Sequence, residues 1–134
     1  MNEERIPYGA GDWGGFSIMV IDDNKNFLVL VKTILKALGL RRIQLVQDPL
    51  CAIDRLIKRP ADLVFCDWEM RGMNGVVFSQ KVKELELGSK VILLTSYSIE
   101  TLQARSSNNA IEGYLEKPVT VKSLLDKIST VFNY

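Results

Sequence analysis

The chain contains no histidine. That absence removes Ser-His-Asp and Cys-His nucleophile chemistry, the commonest general base and most zinc sites, and it means the chain cannot carry a phosphohistidine. Cysteine is scarce as well, with two residues among 134. Cys51 and Cys66 lack metal-ligand spacing, so both are expected as buried reduced thiols that behave as small hydrophobes. Neither sign of charge dominates: 17 basic residues face 16 acidic ones. There is accordingly no electrostatic case for direct nucleic-acid binding or for an anionic membrane surface. No apolar run approaches the roughly 18 residues of a membrane span, so no membrane insertion is expected. The opening MNEERIPYGAGDWGGF lacks the apolar stretch of a secretory signal, which makes a cytoplasmic protein the default. Whatever chemistry remains must rest on carboxylates, hydroxyls and lysines.

What is present is an ordinary globular composition, 47% hydrophobic and 25% charged, with enough residues for one substantial core. Residues 1–15 carry Gly9, Gly11, Gly14 and Gly15 close together and are expected as a flexible extension. Tyr8 and Trp13 could dock, but mobility is the expectation for this stretch. Residues 16–134 read as one domain.

Within it, strand and helix patterns alternate. FSIMVI (16–21) is an apolar strand; Asp23 or Asn24 can cap a helix that runs to about Leu38 and stops at Gly39. RIQLVQ (42–47) alternates polar and apolar, as suits a strand near a sheet edge. Asp48-Pro49 opens a helix to about Lys58. DLVFC (62–66) is a third strand, followed by a helix starting near Asn74 and ending before Gly88. KVILLT (90–95) is a fourth strand, and Ser98 can cap a short helix to about Ser107. GYLEK (113–117) is the fifth strand. Val121, Leu124, Leu125, Ile128 and Phe132 then recur at helical spacing. Five strands alternating with five helices imply an α/β fold, a parallel sheet covered on both faces, with every strand-to-helix loop at one end. With the last helix reaching the C-terminus, no DNA-binding module is expected in this chain.

Ligands of such sheets bind beyond the carboxyl ends of the strands. Strand one ends in Asp22-Asp23, strand three in Asp67, strand four in Thr95-Ser96, and strand five leads to Lys117-Pro118. Taken singly, each has a plain explanation: the aspartates as helix caps, the threonine as a strand end, Lys-Pro as a loop. Together they put three carboxylates on one rim. Two unit charges 4 Å apart interact by roughly 4 kcal/mol at an effective dielectric of about 20. A cation has to offset that, either Lys117 or a hard divalent ion such as magnesium, which prefers oxygen ligands. An ion between Asp23 and Asp67 would leave room for a phosphoryl oxygen, and Asp67 would serve as a carboxylate nucleophile forming an aspartyl phosphate. Lys117 and the Thr95 hydroxyl would face the phosphoryl oxygens.

The four stretches IDDN (21–24), CDWEMRGMNG (66–75), LLTSY (93–97) and YLEKPV (114–119), in this order and separation, resemble the receiver domain of two-component response regulators over about Phe16 to Phe132. The resemblance implies a flavodoxin-like doubly wound fold with strand order 2-1-3-4-5. It implies Asp67 as phosphoacceptor and a Mg2+ ion held directly by Asp23 and Asp67, through water by Asp22, and by the backbone carbonyl of Glu69. Lys117 would pair with the phosphoryl group, before a cis bond to Pro118. Thr95 and Tyr114 would form the switch, the hydroxyl moving toward the phosphoryl group and the ring turning inward, although an aromatic in a strand also reads as simple packing. The partners implied are a sensor histidine kinase or histidine phosphotransfer protein upstream. Downstream, a protein target would dock on the face formed by the fourth helix, fifth strand and fifth helix.

Two departures stand out. Arg71 occupies a position where the family commonly has proline, and its guanidinium could lean toward the acidic site. Glu69 and Tyr97 fall where the family tunes the lifetime of the phosphoryl group. The leading expectation is a stand-alone receiver that turns over no external substrate. The alternatives are a degenerate receiver that docks partners without phosphorylation, and a small aspartate-based phosphohydrolase using Glu69 as its second acid.

Overall fold

The computed structural model describes residues 13–98, 100 and 110–132. In chain order its elements are β1 (Ser17–Ile21), α1 (Lys25–Ala37), β2 (Arg42–Val46), α2 (Pro49–Lys58), β3 (Leu63–Asp67), α3 (Gly75–Glu84), β4 (Lys90–Thr95), β5 (Gly113–Glu116) and α4 (Val121–Phe132). The strands form one sheet in the order β2-β1-β3-β4-β5, every pair parallel. Fold class and strand order are those expected. The more polar β2 lies at an edge, where one flank needs no strand partner. Among the described residues there are four helices, where five were expected. Residues 99 and 101–109, which carry most of the expected fourth helix, lie outside the described residues, as do residues 1–12 and Tyr8 with them. No helix of the described residues is long and apolar enough to cross a membrane.

Local chemistry sets the helix starts. Asn24 Oδ1 accepts the Phe27 N–H at 3.1 Å, Asp48 Oδ1 the Leu50 N–H at 2.9 Å, and Asn74 Oδ1 the Val77 N–H at 2.9 Å. Each satisfies a donor that a helix leaves without a partner. Before α4 the capping is reciprocal: Thr120 N–H donates to Ser123 Oγ at 2.8 Å, and Ser123 N–H to Thr120 Oγ1 at 3.0 Å. At the far end of α1, Gly39 takes φ 102°, a left-handed turn that costs glycine little.

The period-two alternation of the strands sends side chains to two hydrophobic layers. Ile18, Val20, Leu63, Phe65, Ile92 and Leu94 meet α1 and α4 on one face. Met19, Ile21, Val64, Cys66, Val91 and Leu93 meet α2 and α3 on the other. Each fully buried Leu, Ile or Phe contributes about 1.5–3 kcal/mol of transfer free energy, so the central strands are the most firmly held part of the molecule.

Two sequence expectations change here. Trp13 is not part of a mobile extension: it is only 2% exposed and packs into the α1–α4 layer. An indole that finds an apolar pocket removes a large area from water. The stretch following it is also tied down, with Arg42 Nη1 donating to the Gly15 carbonyl at 3.3 Å and the Phe16 ring stacked on Phe132 at 4.0 Å. Cys51 is the second correction. It is exposed, because α2 buries Pro49, Ala52 and Leu56 and so turns Cys51 outward. Cys66 is fully buried, as expected, and its thiol is pushed well up by burial and by the charges of Asp67 and Asp22, which keeps it protonated and unreactive.

Candidate functional site

The parallel register aligns the carboxyl ends of the strands. Ile21 pairs with Cys66, Asp67 with Leu94, and Thr95 with Glu116, so the next residues of all four strands emerge on one rim. Asp22, Asp23 and Asp67 meet there, with carboxylate oxygens within 4.8 Å of one another. They form a graded pocket. Asp22 is the floor, its side chain 1% exposed; Asp67 is 16% exposed and Asp23, at the mouth, 35%.

Lys117 supplies the internal cation. Its Nζ donates to Asp22 Oδ2 at 2.7 Å and stands 3.6 Å from Asp67 Oδ1. The ammonium also lies 4.3 Å from the centroid of the Phe27 ring, whose π face favours a cation there. Its backbone is fixed too: Lys117 N–H donates to the Thr95 carbonyl at 2.7 Å, and the bond to Pro118 is cis. The other oxygen of Asp22 accepts the Asn24 N–H at 2.8 Å, so this buried carboxylate has a partner on each oxygen.

One ammonium does not neutralise three carboxylates. The Asp67 carboxyl is pushed up from 3.8 to about 6. Burial is the main cause, and the charges of Asp22 and Asp23 add to it; Lys117 and the backbone N–H of Glu69 act the other way. A cluster of hard oxygen donors with surplus negative charge suits a divalent ion such as Mg2+ or Ca2+, and the residues present fit one.

Asp67 is reached through a cavity of about 250 Å³ lined by Trp68, Glu69, Ser96, Tyr97 and Lys117. Across it the Tyr97 hydroxyl donates to Glu69 Oε2 at 3.4 Å. Thr95 is 1% exposed, and its Oγ1 accepts the Tyr97 N–H at 2.8 Å. Tyr114 stands farther back, half-buried, opposite Leu93 and against the α2–α3 layer. Arg71 leans toward the site as its position suggested: its Nε lies 3.9 Å from Asp23 Oδ2 while the side chain remains 93% exposed.

The structure thus brings Asp22, Asp23, Asp67 and Lys117 together, sets Thr95 on the neighbouring strand end, and keeps Tyr114 within the sheet. Two supporting residues were not found from sequence. In the sequence Phe27 is one more apolar position in the first turn of α1, and no local pattern marks it as facing the rim. Gly75 is the other. A Cβ there would come within 2.7 Å of the Asp67 carbonyl oxygen and of Leu93 Cδ2, so only glycine lets α3 begin against the end of β3. The Gly75 N–H donates to the Trp68 carbonyl at 2.9 Å and closes the loop that follows Asp67.

A doubly wound parallel sheet with an acidic, cation-seeking pocket at its carboxyl edge is the class this geometry defines. The sequence profile of the response regulator receiver domain matches residues 18–129, and the chain belongs to that family, the receivers of two-component signalling. It is 29% identical to the chemotaxis protein CheY-3 of Vibrio cholerae over 117 residues, which are 86% of this chain and 90% of that one. Similarity to the transcriptional regulatory protein ZraR of Escherichia coli O157:H7 is 29% over 108 residues, covering 80% of this chain and 24% of ZraR. Among solved structures, the receiver domain of the response regulator NarL from Mycobacterium tuberculosis superposes with a TM-score of 0.80 at 20% identity, over 89% of this chain and 98% of that one.

Proposed function

We propose that the chain is a single-domain response regulator. In this reading Asp67 accepts a phosphoryl group, with Mg2+, from the phosphohistidine of a sensor histidine kinase or histidine phosphotransfer protein. The observation that carries it is the placement of Asp67: a nucleophilic carboxylate at the end of β3, open to a cavity, with Lys117 Nζ 3.6 Å from Oδ1 and two further carboxylates within 4.8 Å.

The transfer balances simply. An Asp67 oxygen attacks phosphorus, the P–N bond to the donor imidazole breaks, and the departing nitrogen takes up a proton. Lys117 is already beside the attacked position and receives charge on the phosphoryl oxygens; positioning and electrostatics do most of the work in such transfers. The bound dication would supply further charge neutralisation, held by Asp23, Asp67 and the Glu69 carbonyl. Asp22 would act through water, a role favoured by the hydrogen bond already present on each of its oxygens. Thr95 would turn its hydroxyl from the Tyr97 carbonyl, 3.5 Å away, to donate to the phosphoryl group, and Tyr114 would turn into the space released. That shift would alter the face that includes β5 and α4, where a downstream protein binds. No external substrate is turned over, and the role places the protein in the cytoplasm with its donors.

Intact-mass measurement after incubation with acetyl phosphate and magnesium tests the proposal, with Asp67→Asn alongside. The expected result is a phosphate-sized gain in the wild type that the variant lacks. An unchanged wild-type mass, or a gain retained by Asp67→Asn, would overturn it.

A further inference from the structure

We infer that Arg71 is a built-in counter-cation of the acidic pocket, opposing the dication and favouring the phosphoryl group. The inference deepens the phosphoacceptor reading and rests on it. Three observations support it. Arg71 Nε lies 3.9 Å from Oδ2 of Asp23, the outermost of the three carboxylates. Gly72 follows with φ +88°, a left-handed turn next to Arg71 in the loop after Asp67. Finally, Arg71 and Asp23 line a common cavity of about 490 Å³ with Gln47, Asp48, Pro49 and Leu50. Asp48, the other carboxylate in that cavity, already accepts the Leu50 N–H.

An ion pair this exposed adds little to stability, so its effect falls on what enters the pocket. Asp22, Asp23 and Asp67 set against Lys117 and Arg71 leave one net negative charge. Adding a dication turns this into one net positive charge, and a doubly ionised phosphoryl group on Asp67 then brings the total to zero. Without Arg71 the dication alone would neutralise the site, and the phosphoryl group would leave it negative. Glu69 and Asp48, which line the two cavities, make every total more negative, but Arg71 leaves each state one charge more positive than it would otherwise be. A fixed positive charge repels one of these ligands and attracts the other, so removing it shifts their affinities in opposite directions.

Titrations at pH 8 and low ionic strength test this, read through Trp68, which lines the cavity of Asp67. Magnesium chloride is the first ligand, and beryllium fluoride at saturating magnesium, a phosphoryl analogue, is the second. Arg71→Gln is expected to bind magnesium about three- to fivefold tighter and the analogue weaker by a similar factor, with both shifts shrinking in about 0.5 M salt. Arg71→Lys, which keeps the charge, is expected to stay near the wild type. A disturbed loop would weaken both ligands together, so that result, or no change in either, would overturn the role of Arg71 alone. A wild-type protein that binds no magnesium would overturn the phosphoacceptor reading and this inference with it.

Discussion

Replacing the phosphoacceptor is expected to make the metal-free protein more stable. The Asp67 carboxyl is held at about 6, against 3.8 for an unperturbed carboxyl, chiefly by burial. The ionised form is therefore disfavoured in the native state. Because the folded value is raised, the contribution of Asp67 to stability is fully present below about 3.8 and is lost as pH rises through about 6. A tenfold change in acidity corresponds to about 1.4 kcal/mol, which sets a ceiling of about 3 kcal/mol at pH 8. Rearrangement of Lys117 and entry of water bring the expected gain for Asp67→Asn to roughly 1.5–3 kcal/mol. The variant cannot ionise, so its advantage shrinks as pH falls and is largely gone by about pH 4. Urea unfolding in a chelator at several pH values, comparing the two proteins so that other carboxylates cancel, reads this directly. Magnesium, which stabilises whichever protein binds it, should narrow or reverse the order at pH 8. An Asp67→Asn advantage that is absent at pH 8, or constant with pH, would refute the reasoning.

Three further outcomes are expected. Magnesium affinity, measured by calorimetry, should be flat above about pH 7 and fall toward tenfold per pH unit below about 6, since the protonated Asp67 carboxyl cannot ligate it. Gly75→Ala should cost about 1–3 kcal/mol in urea unfolding and slow phosphorylation by acetyl phosphate, because the new methyl collides with the Asp67 carbonyl and Leu93. Trp13→Ala should cost about 3–4 kcal/mol with little effect on magnesium affinity, as the indole fills the α1–α4 layer away from the rim.

The carboxyl-edge residues were legible because each is the polar residue that ends an apolar strand, and parallel connectivity places such residues together. Helix starts were legible for a similar local reason, at Asn24, Asp48-Pro49 and Asn74. Features that depend on helix rotation or distant packing were not. Six apolar residues crowd PLCAIDRLIK, so the face chosen by Ala52 and Leu56 decides that Cys51 is exposed, and nothing within the segment makes that choice. Trp13 sits among glycines in sequence; the apolar layer that buries it is assembled from α1, α4 and one face of the sheet. Phe27 under Lys117 joins residues 90 positions apart, a relation that no periodicity reports.

Among the described residues, the bond from Lys117 to Asp22 ties together parts of the chain that no backbone ladder connects: β1 pairs with β2 and β3, whereas β5 pairs with β4 alone. It works as a brace thrown across the mouth of the sheet. Any newcomer that draws the ammonium off Asp22 loosens that brace and frees the far margin of the molecule to settle anew. News of occupancy could in this way pass over the two strands between them along a single side chain.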